Sequence, residues 1–434
     1  MSEEKVDWYL DFIDLKRKPA EDEIQLLFKA TPAPGYSIEE AAGRIASESS
    51  VGTWTTLSTV TQDTLNRMAK VYRISGDLVY VTYPLELFEL GSIPQLFSSV
   101  FGNIYGMKAV ARLRILDIRF PKEYIKSFKG PQFGQKKAKD ILKIKENRPI
   151  IATVPKPKLS PSAEAHAKIG YEIWMGGEDL LKDDENLTSQ PFIKFEDRVR
   201  EVFKYRDKAE KETGEKKSAL INITAETEEM KRRARLVKEY GGEFIMIDFL
   251  TAGWAALQTI RDYAEELGLA LYAHRAFHAA FTKLPDHGAT MLSIAKVARL
   301  AGVDFIHIGT AGIGKMESTK SDVIRIKEEI TLDKVPQEDI YFEQDWAGIN
   351  PVMPVSSGGL HPGILPPLLD ALGADIAIQV GGGVLGHPMG PRAGAKAVRD
   401  AIDAWNKKIP LHEYAERSKE LKAALEKWGT QSYA

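Results

Sequence analysis

The 434-residue chain contains no cysteine. This absence excludes disulfide bonds, cysteine nucleophiles and thiolate metal sites, so any bound metal must take oxygen or imidazole ligands. Neither sign of charge dominates, because 59 lysines and arginines stand against 61 aspartates and glutamates. The formal net charge of −2 therefore gives no signature of binding to nucleic acid or to an anionic membrane.

The sequence also lacks a hydrophobic run long enough to cross a bilayer. The most apolar segment, 244–257, is interrupted by Asp248 and Gly253. The first residues are polar and acidic and carry no secretory signal. We therefore expect an intracellular, cytoplasmic protein without nucleic-acid or membrane partners.

The first part of the chain has the pattern of a small α+β domain. Runs rich in β-branched and aromatic residues predict strands over 23–31, 77–83 and 107–120. Ser37 and Ser92 each begin a helix-capping sequence between these strands. We predict a ferredoxin-like domain over residues 1–135, with helices on one face of a sheet.

From Pro149 onward, short apolar strands alternate with amphipathic helices. The predicted strands are 150–154, 180–182, 219–223, 244–248, 270–274, 305–308, 352–355 and 376–380. This alternation predicts a (β/α)8 TIM barrel over 136–409. A doubly wound sheet is the alternative, but no Gly-x-Gly-x-x-Gly follows the first strand. Residues 410–434 are expected to form a helical extension on the barrel exterior.

The segment Gly177–Asn186 carries the most informative chemistry. Lys182 and Asp184 share a face by the two-residue strand period, and Glu185 follows where the strand ends. Two carboxylates form a hard oxygen site suited to Mg²⁺, and a neutral lysine amine that captures CO2 would add a carbamate oxygen. The alternative interpretation is a solvated charged loop.

This segment and several others resemble the ribulose bisphosphate carboxylase (Rubisco) large subunit. The family signature Gly-x-Asp-Phe-x-Lys-x-Asp-Glu fits Gly177 to Glu185, except that Leu180 replaces phenylalanine. The other matching motifs are Lys156-Pro157-Lys158, 48–56, 102–106, 274–278, 307–315, 357–361 and 381–388. The longer loop at 309–315 and the sequence Thr153-Val154-Pro155 resemble the archaeal form III branch.

The resemblance implies a carboxylase that adds CO2 to the enediolate of ribulose 1,5-bisphosphate, giving two 3-phosphoglycerates, with an oxygenase side reaction using O2. It implies Mg²⁺ held by carbamylated Lys182, Asp184 and Glu185. The implied catalytic residues are Lys156, Lys158, Lys182, His274, Lys315 and Glu48. The implied substrate-binding residues are Thr53, Trp54, Asn103, Lys158, Arg275, His307, Lys315, Ser357, Gly358, Gly359, Gly381 and Gly382.

The resemblance further implies a homodimer with shared active sites, possible assembly into a pentamer of dimers, and no small subunit. Its form III character suggests a role in AMP or nucleoside monophosphate salvage. The main rival is a Rubisco-like enolase or isomerase acting on a related phosphosugar. Two weaker rivals are a non-catalytic phosphosugar-binding protein and an unrelated Mg²⁺-dependent barrel enzyme.

Overall fold

The computed structural model describes residues 8–52, 55, 57–315 and 319–432. The chain divides into two compact units. The first comprises described residues of 1–130, 277–301 and 332–349, and the second those of 131–276, 302–331 and 350–434.

The secondary structure of both units follows chain order. The strands are β1 Ile24–Pro32, β2 Lys70–Ser75, β3 Leu78–Tyr83, β4 Val110–Arg119, β5 Ile150–Thr153, β6 Leu180–Lys182, β7 Ser218–Asn222, β8 Phe244–Asp248, β9 Ala270–His274, β10 Gly288–Ala289, β11 Phe305–His307, β12 Lys334–Val335, β13 Gln344–Asp345, β14 Met353–Ser357 and β15 Ala377–Gln379. The α-helices are α1 Ile38–Glu48, α2 Gln62–Asn66, α3 Ile93–Val100, α4 Lys122–Lys126, α5 Gly134–Ile141, α6 Ala163–Met175, α7 Phe195–Thr213, α8 Thr227–Glu239, α9 Phe249–Ala252, α10 Trp254–Leu267, α11 Ala279–Thr282, α12 Met291–Ala301, α13 Lys320–Thr331, α14 Leu365–Leu372, α15 Gly382–Leu385, α16 Pro391–Asn406, α17 Leu411–Ala415 and α18 Lys419–Trp428.

The first unit is built on a five-stranded sheet in the order β10-β4-β1-β3-β2. Strands β1 to β4 pair antiparallel, and β10 joins β4 in parallel. The helices α1 and α3 begin at Ser37 and Ser92, whose side chains accept backbone hydrogen bonds from Glu40 and Gln95. The order β4-β1-β3-β2 with helices after β1 and β3 confirms the predicted ferredoxin-like arrangement.

The second unit contains a closed parallel barrel in the order β11-β14-β15-β5-β6-β7-β8-β9. These eight strands confirm the predicted TIM barrel and exclude the doubly wound alternative. Most boundaries agree with the prediction, and β6, β8 and β9 coincide with it. Strand β14 extends two residues further than predicted, to Ser357, because polar Ser356 and Ser357 hid its end in the hydrophobic pattern.

The barrel interior follows the two-residue strand period. Each strand contributes at least one apolar side chain to a single buried cluster, which includes Ile150, Ala152, Leu180, Leu220, Phe244, Met246, Ala270, Tyr272, Phe305, Met353, Val355 and Ala377. Residues two positions further toward the carboxyl end must point to the same interior. The pattern therefore places Lys182, His274, His307, Ser357 and Gln379 above this hydrophobic layer.

The segment after 409 contains α17 and α18. Helix α18 begins at Ser418, whose side chain accepts a hydrogen bond from the Leu421 amide. Leu421 and Ala424 are buried, so one face of the helix packs on the barrel unit. Across the part of the chain that the structure describes, no helix is both long and apolar enough to traverse a membrane.

Glu178, just before β6, is a buried acid whose titration should make folding pH-dependent. Burial raises the pKa of its carboxyl to about 8, against an ordinary value of about 4.3. The folded chain keeps a proton that the unfolded chain releases, so this stabilisation is complete at acidic pH and is lost as pH rises through about 8. Between about pH 4.3 and about pH 8, the Glu178 carboxyl lowers the free energy of unfolding by about 1.4 kcal/mol for each pH unit.

We expect Glu178→Gln, which mimics the protonated acid, to show a flatter dependence of melting temperature on pH between about pH 6 and about pH 8. Glu39→Gln changes an exposed glutamate and provides the matched control, with the wild-type slope. Equal slopes for Glu178→Gln and wild type would mean that the carboxyl is ionised in the folded protein.

Candidate active site

The carboxyl ends of the barrel strands enclose a cavity of about 550 Å³. Its walls include the polar layer Lys182, His274, His307, Ser357 and Gln379. Lys156, Asp184 and Glu185 reach the same cavity from the loops after β5 and β6. The barrel thus delivers amines, carboxylates and imidazoles to one space, as enzymes of this fold do.

Lys182 lies at the base of this cavity and is 1% exposed. Its Nζ donates to the carbonyl of Asp183 at 2.8 Å. Burial lowers the pKa of the amine, against the pull of nearby Glu185 and Asp184. A larger fraction of this amine is therefore neutral than for a solvated lysine, and the neutral form is the one that can react with CO2.

The two carboxylates beside Lys182 have basic partners. Asp184 Oδ2 accepts from Lys156 Nζ at 2.8 Å, and Glu185 Oε2 lies 3.7 Å from His274 Nε2. Burial would raise the pKa of Asp184, but the Lys156 ammonium and the Asn186 amide hold it below its usual range. Asp184 therefore offers an anionic oxygen at neutral pH, and Glu185 lines the same cavity.

Asp183, between the two cavity-lining residues, points the other way and anchors the segment. Its carboxylate is within hydrogen-bond distance of His166 Nε2 at 2.9 Å, Arg198 Nε at 3.1 Å and the Asn222 amide at 2.9 Å. Burial would raise its pKa, but Arg198 and His166 keep it below the usual range. The anchor fixes the backbone from which Lys182 and Asp184 project.

His274 stands between two acids, with Nδ1 3.3 Å from Asp248 Oδ1 and Nε2 facing Glu185. Burial and the neighbouring Lys182 lower its pKa. The lowered pKa favours the neutral imidazole, whose Nδ1 also accepts a hydrogen bond from the Ala276 amide at 3.1 Å.

Two glycine pairs line the cavity, Gly358-Gly359 after β14 and Gly381-Gly382 after β15. No heavy atom outside the neighbouring residues lies within 4 Å of a Cβ built on Gly382, so its backbone is open to the cavity. At Gly383 a Cβ would lie 2.4 Å from the Leu360 carbonyl, so the close approach of two loops requires glycine there. Exposed backbone amides of this kind suit phosphate oxygens.

Other predicted site residues lie beside this cavity or away from it. Lys158 contacts Asn186 Oδ1 instead of lining the cavity. The Lys315 amide donates to the Gly358 carbonyl at 3.0 Å, while its side chain is exposed. Arg275 is partly buried next to His274, and burial of its guanidinium lowers the pKa to about 10.

The predicted residues of the first unit form a separate group. Asn103 Nδ2 donates to Glu48 Oε1 at 3.2 Å, which brings together two residues far apart in sequence. Thr53 and Trp54 lie outside the described residues.

Sequence reasoning missed Gln379 and Trp428, which line the cavity, and Tyr272, whose hydroxyl contacts His307 from the layer below. Gln379 is polar in an otherwise apolar strand, and Tyr272 shares the period of His274, so both carried a usable signal. Trp428 on α18 also lines the cavity, with its ring centroid 5.9 Å from that of His361. Its helix is held there by hydrogen bonds from Lys427 Nζ to the Gly386 carbonyl and between His387 Nε2 and the Glu420 carbonyl. The tail was expected to pack on the barrel exterior; its last helix also contributes Trp428 to the cavity lining.

Comparison with known proteins points to one family. Residues 135–428 match the family model for the ribulose bisphosphate carboxylase large chain, catalytic domain, and residues 11–124 match the N-terminal domain model. The chain is 52% identical to the ribulose bisphosphate carboxylase of Pyrococcus abyssi, covering 99% of both chains. It is 48% identical to that of Archaeoglobus fulgidus, covering 97% of this chain and 98% of the relative.

Solved structures give the same result. A dimeric archaeal Rubisco from Hyperthermus butylicus is 53% identical with a TM-score of 0.93, covering 97% of this chain and 99% of the other. The octameric Rubisco from Pyrococcus horikoshii in complex with sulfate is 51% identical with a TM-score of 0.91, covering 99% of both chains. Sequence, fold and cavity therefore agree that the chain belongs to the ribulose bisphosphate carboxylase large-chain family, with archaeal relatives, and is a carboxy-lyase.

Proposed function

We propose that this carboxylase acts on ribulose 1,5-bisphosphate in a Mg²⁺-dependent reaction, with Lys182 as the carbamylated lysine. The observation that carries the proposal is the position of Lys182, a buried amine of lowered pKa beside two carboxylates at the rim of the barrel. The amine nitrogen bonds to the carbon of CO2 and releases one proton, which converts a cation-forming side chain into an anion.

The donor set fits Mg²⁺. Asp184 and Glu185 supply carboxylate oxygens on the same side as Lys182, and a carbamate would add a third anionic oxygen; hard oxygen ligands are those that Mg²⁺ prefers. When bound, Mg²⁺ supplies electrophilic stabilisation of the negative charge that develops on the sugar oxygens.

The residues around this centre have complementary tasks. We assign to His274, beside Asp248, the transfer of a proton near C3, and to Lys156, held by Asp184, the donation of a proton at C2. The backbone amides at Gly381 and Gly382 bind one phosphate of the substrate. Arg275 binds the other phosphate on the side of the cavity that His307 and Ser357 line. Lys158, and Lys315 on its exposed loop, provide further cations for substrate and the incoming carboxylate.

We extend the proposal to assembly. The relatives of known structure include a dimer and an octamer. We expect this chain to assemble without a small subunit. A homodimer in which Glu48, Asn103, Thr53 and Trp54 complete the partner's active site is consistent with these relatives. A pentamer of dimers stays a prediction.

Three further assignments complete the proposal. A boundary near residue 130 is supported by the family matches over 11–124 and 135–428, and the domain limits of 1–135, 136–409 and 410–434 stay a prediction. An oxygenase side reaction follows from an enediolate that can meet O2 as well as CO2. A role in AMP or nucleoside monophosphate salvage stays an expectation from the form III resemblance.

The deciding experiment incubates the purified chain with ribulose 1,5-bisphosphate, 14C-labelled bicarbonate and Mg²⁺. We expect acid-stable label in 3-phosphoglycerate, its loss with a chelator, and its return with Mg²⁺. O2 uptake should depend on the same sugar when CO2 is withheld. Loss of the substrate C3 proton to solvent without incorporation of label would instead identify an enolase or isomerase.

A further inference from the structure

Four polar side chains form a continuous line inside the barrel, and the line ends at the cavity. Gln379 Nε2 donates to Tyr272 Oη, which lies 2.6 Å from His307 Nε2. On the other side of the ring, His307 Nδ1 lies 2.8 Å from Ser357 Oγ. Tyr272 is fully buried, and Gln379 and His307 are 5% and 4% exposed.

The amide at one end fixes the direction of every hydrogen bond in the line. An amide NH2 can only donate, so the Tyr272 oxygen accepts from Gln379 and directs its own hydrogen at His307 Nε2. Burial raises the pKa of Tyr272 well above its usual range, so the phenol keeps that hydrogen. His307 Nε2 must therefore be an acceptor, and the ring hydrogen lies on Nδ1.

The other end of the line is set by the same logic. The Nδ1 hydrogen of His307 is directed at Ser357 Oγ, which accepts it. The serine hydroxyl has one hydrogen of its own, and this hydrogen then points away from the ring. Both His307 and Ser357 line the cavity, so that direction leads toward the proposed substrate.

We propose that Tyr272 is a positioning residue that locks His307 in the neutral Nδ1–H form and thereby makes Ser357 a hydrogen-bond donor to the sugar bisphosphate. The proposal rests on the proposed function only for the identity of that ligand. It also changes the expected role of His307. Both ring nitrogens of His307 are engaged in hydrogen bonds, so the residue orients the Ser357 hydroxyl instead of binding phosphate as a cation.

The aromatic ring of Tyr272 has a separate structural task. It stacks on Phe305 with centroids 5.6 Å apart and belongs to the buried barrel cluster. Tyr272→Phe keeps this packing and removes only the hydroxyl. The substitution therefore separates the positioning role from the packing role.

The direction of the hydrogen bonds in the line can be tested on the wild-type protein, with one variant used only to assign the signals. Histidine labelled with 15N gives eight ring systems, one for each histidine in the chain, and His307→Gln identifies the signals of His307 by their loss. Magic-angle-spinning spectra should show a protonated Nδ1 and an unprotonated Nε2 at neutral pH. A protonated Nε2 would overturn the proposal, whatever the substrate of the enzyme.

Steady-state kinetics test the consequence. We expect Tyr272→Phe to raise KM for ribulose 1,5-bisphosphate by about three- to tenfold, the effect of one weakened hydrogen bond, with kcat within about twofold of wild type. The His307 spectrum of this variant should lose its single tautomer. Tyr263→Phe removes a hydroxyl that binds Arg235 on the outer helices and should leave KM unchanged.

Unchanged KM and an unchanged tautomer in Tyr272→Phe would overturn the positioning role. A wild-type enzyme that incorporates no CO2 would refute the proposed function, while the ring spectrum would still report on Tyr272. The two failures are therefore distinguishable.

Discussion

Lys182→Met is expected to lower carboxylation by on the order of a thousandfold or more, because it would remove the proposed carbamate and, with it, one oxygen ligand of the proposed Mg²⁺. Methionine preserves the length of the side chain and its packing in the buried base of the cavity, where Lys182 is 1% exposed. The loss should therefore come from chemistry and not from unfolding.

The measurement has two parts. Specific activity is compared with wild type, and 13C NMR of protein in 13C-bicarbonate with Mg²⁺ is inspected for the carbamate carbon, which Lys182→Met should lack. The matched control is Lys217→Met, since Lys217 is also fully buried but binds the Glu178 carbonyl at the other end of the strands. A Lys182→Met protein that kept its activity or its carbamate signal would refute the assignment of this lysine.

The second large effect concerns stability. Arg198→Met leaves the carboxylate of Asp183 buried without its arginine partner, and both side chains are at most 1% exposed. Removal of one partner from a buried pair costs about 3–5 kcal/mol. We therefore expect a clearly lower urea midpoint and melting temperature for this variant.

The same helix provides the control. Arg200 pairs with Asp197 at the surface of α7, and Arg200→Met should leave the urea midpoint unchanged. Adding Asp183→Asn to Arg198→Met removes the stranded charge, so the double variant should recover part of the loss. A double variant less stable than Arg198→Met would show that Asp183 is stabilised mainly by His166 and the Asn222 amide.

Hydrophobic periodicity was sufficient to predict the barrel, because each strand is short, apolar and followed by an amphipathic helix. It failed where polar residues continue a strand, as at Ser356 and Ser357, and for the two-residue strands β10, β12 and β13, which have too few residues to produce a pattern.

The candidate site was predictable where a polar or ionisable side chain ends a barrel strand, as with Lys182, His274 and His307. Tyr272 was missed because it lies one layer lower, among core residues, where the sequence pattern predicts only a packing role for an aromatic side chain. Gln379 was missed because one amide in an apolar strand is a weaker signal than the glycines that follow it. Trp428 could not be predicted, since only the tertiary fold brings α18 to the cavity.

The contribution of Trp428 has a consequence for how the protein is made. A ribosome releases the chain in order, so all eight barrel strands emerge before α18 does. A nascent chain that ends before residue 419 contains every barrel strand but lacks Trp428, one of the residues that line the cavity. The full lining of the cavity is therefore synthesised only after all the barrel strands.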